Sequence, residues 1–371
     1  MPSAEQTRLA AHPLNTMTLE QAAAEQFRLV ELIGRHFPQD QLLSQGDLGV
    51  RGPLGRPQAT AAVEGCLADF FRAEDAALVT GAGTGALRAA LFASVRPGSA
   101  ILRHTAPVYE TTAVSMAAMG LTDVTADFNK LAEVRTGPGV EAAIVGHARQ
   151  SLADDYDLGT VITQLRALIG EAPIIVDENY AVLKVSRLGA ELGADLSAFS
   201  AFKLFGPVGV GVVLGTRRLV EVIRGQSRSG GCQVQGTDAI EVLRGMVHVP
   251  VQAALQAQVA SEVAGRLSQG EVDGVESAVM TNNAETLVIA RLREPVAGRF
   301  IAAAGRAGAA SHPVGAESRY ELVPLVYRVS KALTAADPGN ADWLVRIIPN
   351  RGGADHCIAL LRAAAESCWG E

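Results

Sequence analysis

Between residues 77 and 214 the chain alternates short apolar segments with glycine-containing turns and helical stretches, and this alternation restricts it more than any other feature. Residues 77–79, 100–102, 142–145, 174–176, 196–199 and 208–214 have strand length, and helical stretches such as 86–94 and 111–119 separate several of them. Strands joined through helices pair side by side in parallel, because the crossover returns the chain to the same end of the sheet. The expected fold class is therefore α/β, a mostly parallel sheet sandwiched by helices. Ligands of such sheets collect at the carboxyl ends of the strands. Residues 208–214 (VGVGVVL) read as a buried strand whose glycines permit close backbone approach.

The chain has 371 residues, 48% hydrophobic and 19% charged, enough apolar surface for a large core and too much for global disorder. That length predicts two or three domains. Lysine and arginine number 32 against 39 aspartates and glutamates, a net −7 that disfavours nucleic acid and still allows a small anion on local donors. Four cysteines (Cys66, Cys232, Cys357, Cys368) are too few for a disulfide scaffold in so long a chain. The N-terminus lacks the basic-then-apolar pattern of a secretory signal, and no apolar run approaches the roughly 20 residues that span a bilayer. A cytoplasmic protein without membrane contact is expected. The seven histidines show no metal-binding spacing.

Residues 1–16 read as a polar arm. Thr18-x-x-Gln21 resembles a capping box, followed by an apolar stripe through Leu19, Ala22, Phe27, Val30 and Ile33. Residues 44–57 (SQGDLGVRGPLGRP) form a breaker-rich loop with two arginines, and a helix is expected over 59–71. After residue 245 the texture shifts to a long Ala/Gln helix (251–267), mixed strands including 344–348, and a closing helix (354–367). The expected organisation is an N-terminal arm and helix (1–44), a large cofactor-binding domain (45–245) and a smaller C-terminal α+β domain (246–371), which the N-terminal helix would join.

Two features carry chemistry. Gly81-Ala82-Gly83-Thr84-Gly85 ends a strand and opens a helix, turning free amides and the positive end of the helix dipole toward an anion such as phosphate. Gly81, Gly83 and Ala86 also satisfy a loose dinucleotide fingerprint, but Arg103 stands after the next strand where that fingerprint wants an acid. Asp177 ends a second strand, and Ser200-Ala201-Phe202-Lys203 follows a third. Both groups should reach the same sheet edge. A lysine there is pushed toward its neutral, nucleophilic form, as a Schiff base requires. A carboxylate facing a pyridine nitrogen keeps the ring protonated and electron-withdrawing. Singly, each residue reads as a turn residue or a solvated flank; together, in this order, they point to one site.

These features resemble the fold-type-I pyridoxal-phosphate enzymes, over roughly residues 45–371. In the stretch 174–215 (IIVDENYAVLKVSRLGAELGADLSAFSAFKLFGPVGVGVVLG), the GAD-then-SAFK half is similar to enzymes of cysteine and methionine metabolism. The KLFGPVGVGVVLG half is similar to class V aminotransferases and cysteine desulfurases. Residues 230–245 (GGCQVQGTDAIEVLRG) resemble a segment of bacterial selenocysteine synthase. The resemblance implies pyridoxal 5'-phosphate as cofactor, Lys203 as the Schiff-base lysine and Asp177 as partner of the pyridinium nitrogen. It implies phosphate contacts from the amides of Gly83, Thr84 and Gly85 and from the Ser200 hydroxyl, and a ring stack from Tyr109, with His104 as rival. Thr237 matches a residue that reaches the neighbouring subunit's phosphate, which implies a homodimer with shared active sites. Arg51 and Arg56 stand where relatives place phosphate binders contributed across that dimer, a solvated loop being the other reading. Arg346 matches an arginine that pairs bidentately with a substrate carboxylate; a salt bridge on a strand is the plainer reading, and Arg319 is the other candidate.

The implied substrate is a small amino acid, carried through an external aldimine and a carbanion with Lys203 as general base. Elimination or replacement at the β or γ position is the expected outcome. An aminotransferase or racemase of the same fold is the alternative, and an NAD(P)-binding oxidoreductase the further one. Phe202 departs from the Thr, Ser or His usual before the lysine, and Glu178-Asn179 from the Asn-Thr of the sulfur-amino-acid enzymes. Both departures bear on the reaction type. Cys357, although beside His356, falls on a helix, and none of the four cysteines reads as a desulfurase nucleophile.

Overall fold

A computed structural model describes residues 11–134, 139–229, 231–281, 286–315, 317–330, 333–334 and 338–369. The chain divides into two compact units, one made of Glu20–Ala148 and Tyr156–Val251, the other of Arg149–Asp155 and the chain from Gln252 on, with the described residues before Glu20.

In the larger unit, β1 (Asp75–Thr80), β2 (Ala100–His104), β3 (Thr122–Ala126), β4 (Val140–Gly146), β5 (Ile174–Asp177), β6 (Leu196–Ser200) and β7 (Val210–Gly215) form one sheet in the order β1-β7-β6-β5-β4-β2-β3. From β3 to β6 every pairing is parallel, while β7 runs antiparallel to both β6 and β1. The mostly parallel sheet expected from the alternation is present. The seventh strand starts two residues later than the expected 208–214: Val208 is exposed and Gly209 turns at φ +85°.

Side chains alternate across each strand, so the two faces have separate cores. Ala77, Val79, Ile144, Ile175, Ala198 and Val213 pack under α3 (Ala82–Ser94) and α6 (Arg217–Gln226). On the other face, Ala143, Val145, Ile174 and Val176 meet α5 (Leu158–Ile169), while Ala76, Leu78, Phe199, Val212 and Leu214 meet α2 (Gln58–Phe70) and α7 (Gly236–Met246). Burial on both faces explains why the strands read as continuous apolar runs.

The N-terminal helix α1 (Leu19–His36) corrects the sequence reading. Leu29 and Ile33 enter the larger unit's core beside Val63 and Leu67, whereas Phe27 and Val30 of the expected stripe are exposed. The loop before α2 is ordered by Asp47, whose carboxylate accepts the amides of Gln58 (2.8 Å) and Ala59 (2.9 Å) at the helix start. Burial raises the Asp47 pKa, but these two bonds and one from Arg51 outweigh it and hold the carboxyl below its usual range.

The smaller unit is an antiparallel sheet of β8 (Val275–Met280), β9 (Val288–Leu292), β10 (Leu325–Arg328) and β11 (Leu344–Ile348), ordered β10-β11-β9-β8. Its core takes Phe300 from α9 (Ala297–Arg306), Ile358 and Leu361 from α10 (Ala354–Trp369), and Ala260, Val263 and Leu267 from α8 (Val249–Ser268). Cys357 and Cys368 belong to this core and Cys66 to the larger unit's; burial pushes the thiols of Cys66 and Cys357 up to about 12. Among the described residues no helix is long and apolar enough to cross a membrane, and no group of three or more His, Cys, Asp or Glu is arranged for a metal.

Candidate active site

Because β1, β2, β4, β5 and β6 run in one direction, their last residues, Thr80, His104, Gly146, Asp177 and Ser200, meet at one sheet edge. The register aligns Gly146 with Asp177, Ser200 with Gly211, and Thr80 with Val210.

At this edge the glycine turn leads into α3. Gly81 takes φ +97°, and the Gly209 carbonyl accepts the amides of Gly81 (2.7 Å) and Ala82 (3.0 Å). The Gly85 amide, expected to hold phosphate, instead closes the first helical turn on the Gly81 carbonyl at 2.8 Å. What makes Gly85 a glycine is steric, since a Cβ there would lie 2.0 Å from the Thr80 carbonyl oxygen. The amides of Gly83 and Thr84 have no acceptor among the described residues, and they face out from the positive end of a 13-residue helix. The Thr84 hydroxyl is bonded to that of Thr111, 2.9 Å away on α4 (Glu110–Ala118).

Asn179 ties this edge together, and sequence reasoning missed it. Its backbone amide (3.0 Å) and side-chain amide (2.7 Å) both donate to Asp177 Oδ1, and its Oδ1 accepts the Ser200 amide at 3.0 Å. A Cβ on Gly83 would come within 2.2 Å of Asn179 Oδ1, so the bare face of the glycine turn is what admits this side chain. The departure noted at Glu178-Asn179 was the available signal.

Asp177 therefore has one oxygen committed and one, Oδ2, without a hydrogen bond among the described residues. Burial pushes its pKa up; the Asn179 donors and the charge of Lys203 oppose the rise, and neighbouring Glu178 adds to it. Glu178 itself is fully buried and accepts from Gly189 N (2.6 Å) and Ser197 Oγ (3.0 Å), with His147 Nδ1 at 2.6 Å. Two adjacent carboxylates thus differ: one is enclosed by donors and one is open.

Lys203 lies on a short 3-10 turn, Ala201–Leu204, stopped by Phe205 in the left-handed region at φ +60°. Its Nζ lies 3.3 Å from the centroid of the Tyr180 ring. Ser200 is buried, and its hydroxyl makes no hydrogen bond among the described residues.

The remaining expected residues divide. Tyr109 is half exposed at the start of α4. His104, its rival, is buried: Nδ1 accepts the Phe128 amide at 2.9 Å, and the ring packs on Phe128 and Tyr156. Thr237 is exposed on the first turn of α7. Arg51 pairs with Asp47 at 3.0 Å and Arg56 with the buried Glu64 at 2.7 Å, so neither is a merely solvated loop side chain. Glu64 also accepts the Leu78 amide (3.0 Å), and Arg224 donates to the Ala76 carbonyl (2.6 Å), which covers the open edge of β1. A cavity of about 400 Å³ beside that edge is lined by Arg56, Glu64 and Arg224 but by none of Asp177, Ser200 or Lys203.

In the smaller unit, Arg346 on β11 donates to Ser330 Oγ at 2.6 Å and lies 5.6 Å from the Tyr327 ring centroid. Among the described residues its buried Nε has no partner and no carboxylate pairs with it, so the plainer reading, a strand salt bridge, is not found among them. Arg319 is exposed and rests on Tyr320.

The donor set at the sheet edge suits a phosphorylated pyridine aldehyde. Two amides without an acceptor among the described residues and a serine hydroxyl match a phosphate dianion, an open carboxylate oxygen matches a protonated ring nitrogen, and the Lys203 amine matches the aldehyde.

Comparison with known proteins agrees with that chemistry. The family model for class-V aminotransferases matches residues 157–242, and that for the YhfS-like C-terminal domain matches 261–361. The protein YhfS of Escherichia coli (strain K12) is 46% identical over 358 residues, 96% of this chain and 99% of that protein. The crystal structure of the pyridoxal-5'-phosphate-dependent protein YhfS from Escherichia coli matches with a TM-score of 0.91 at 44% identity, covering 96% of this chain and 99% of that one. A carbon-sulfur lyase involved in aluminum resistance from Clostridium novyi NT matches at TM-score 0.71 and 14% identity, covering 94% and 91%. A cystathionine gamma lyase from Micromonospora echinospora matches at 0.68 and 20%, covering 84% and 87%. These last two share the fold.

Proposed function

Because the chain belongs to the family of the pyridoxal-phosphate-dependent protein YhfS, which has the type-I fold, we propose that it is an enzyme eliminating or replacing a β or γ substituent of a small amino acid. The observation that carries this reading is the meeting of Lys203, the open oxygen of Asp177 and the free amides of Gly83 and Thr84 at one sheet edge.

When bound, pyridoxal phosphate supplies an electron sink for negative charge on the carbon bearing the substrate amine. Gly83, Thr84 and Ser200 would hold the phosphate. Asp177 Oδ2 would accept from the protonated ring nitrogen. Tyr109 would serve as the ring's aromatic neighbour, and Thr237 would contribute to the phosphate site of a second copy in a homodimer. Arg346, which no acid among the described residues pairs, receives the substrate carboxylate. Lys203 Nζ takes the α-proton as general base and, as the ammonium, delivers it to the departing group. The names of the structural neighbours, carbon-sulfur and cystathionine lyases, support elimination over the alternatives.

The test is the visible spectrum of the purified protein recorded with a panel of amino acids, followed by product analysis. Keto acid and ammonia in equal amounts from an amino acid with a β- or γ-sulfur substituent are the expected result. Amino-group transfer to an added keto acid, or inversion at Cα, would replace this reading with a transaminase or a racemase.

A further inference from the structure

Tyr180 is assigned no role by the cofactor chemistry above, yet its ring centroid lies 3.3 Å from Lys203 Nζ. An ammonium at this range is held by the negative face of the ring, whereas a neutral amine gains little. The ring therefore distinguishes the two protonation states of Lys203. Both partners stand on fixed supports. Tyr180 follows Asn179, which is tied to Asp177 and Ser200, and Lys203 is set by the turn that Phe205 stops in the left-handed region. Gly245 of α7 secures that turn, since a Cβ there would lie 2.5 Å from the Phe205 backbone.

We propose that Tyr180 is a positioning residue that rests the ammonium form of Lys203 on its ring, thereby setting the pH at which the lysine becomes a nucleophile toward pyridoxal phosphate. The same contact favours Lys203 keeping a proton it has taken from substrate until that proton is delivered. The inference rests on Lys203 being the Schiff-base lysine.

Other charges bear on Lys203 and are held constant in the test. Asp177 is the carboxylate whose charge couples to it; Glu178 stands behind Asp177 against His147, and Lys184 lies in the loop after Tyr180. Of the elements packed against the lysine turn, α7 has Arg244 tied to Glu241 and the Leu42 and Ser44 carbonyls, α3 carries the exposed Arg88, and β7 has no titratable side chain.

The experiment adds pyridoxal phosphate to the cofactor-free full chain across a pH series. The rate at which the visible band appears is followed, then the adduct is fixed with borohydride and located by mass spectrometry. Wild type and Tyr180→Phe should share one midpoint. Tyr180→Leu should react with a midpoint about 0.4–1.5 pH units lower, because losing the cation–ring attraction releases the proton more readily. Tyr180→Met fills a similar volume without a ring, and should show the same shift if the leucine variant does not fold. An unchanged midpoint, uniform slowing at every pH, or a shift in Tyr180→Phe as large as in Tyr180→Leu would overturn the role given to the ring. A wild-type protein with no reduced adduct at Lys203 would instead overturn the Lys203 assignment beneath it.

Discussion

The carboxyl edge of the large sheet and strand β11 of the small one treat polar groups in opposite ways. At the large edge they are joined to one another: Asn179 links Asp177 to Ser200, Thr84 is bonded to Thr111, and Glu178 is enclosed by Gly189, Ser197 and His147. On β11, Arg346 has Ser330 and the Tyr327 ring but, among the described residues, no acid and no partner for its buried Nε. The first region is organised before any ligand arrives, which limits reorganisation when charge moves. The second keeps a charge that no acid among the described residues pairs, which suits it to a ligand carboxylate. Residues of the first should therefore control cofactor chemistry, and Arg346 should control substrate affinity.

The severest way to break this division is Lys203→Ala. It should abolish the borohydride-reducible adduct and lower turnover by roughly a thousandfold or more, as loss of a nucleophile and general base does. A variant with normal turnover would remove the lysine from the chemistry. Next, Arg346→Ala should raise KM by about 10–100-fold with kcat little changed, the range for losing charge-assisted hydrogen bonds to a carboxylate. A fall in kcat with KM unchanged would move Arg346 out of the substrate site.

The division sharpens further with pH. Burial raises the Asp177 pKa, so the folded cofactor-free chain holds a proton there that the unfolded chain releases. Folded stability therefore declines as pH rises from the ordinary carboxylate pKa through the raised one, and the deficit persists above it. A protonated ring nitrogen relieves that deficit. The Tm gain on adding pyridoxal phosphate should grow with pH across this window, and Asp177→Asn should flatten the dependence. A gain independent of pH in wild type would mean that Asp177 does not face the ring nitrogen.

The smallest expected effect lies outside both regions. Asp47→Ala removes the acceptor at the start of α2 and should cost about 1 kcal/mol in denaturant unfolding near neutral pH. The Asp47 pKa is depressed, so its contribution is present above the unfolded-state value and disappears as pH falls through the folded one. The difference between variant and wild type should vanish in acid. Cofactor affinity should not change.

Much of the larger unit was legible because a parallel sheet covered on both faces imposes long apolar runs between helices, and 174–176 and 196–199 read that way directly. Asp177 and Lys203 were legible as residues ending such runs. Asn179 was not, since its part depends on a glycine on another element leaving room for its side chain. Gly85 was misread for a related reason: a glycine required by the close approach of Thr80 looks, in one dimension, the same as one donating to a ligand. Phe27 and Val30 misled because a helical stripe shows apolar spacing but not which side meets a neighbour.

The sequence by itself determined the strand–helix alternation, the parallel sheet and the side-chain chemistry at its carboxyl edge, because periodicity and local turn residues are properties of neighbouring positions. Only the tertiary structure decided that β7 inserts antiparallel between β1 and β6, that Asn179, seated against Gly83, joins Asp177 to Ser200, and that Glu178 is enclosed while Asp177 stays open. Those outcomes depend on which distant segments share space, and hydrogen bonds and steric fit settle that only once the layers have packed.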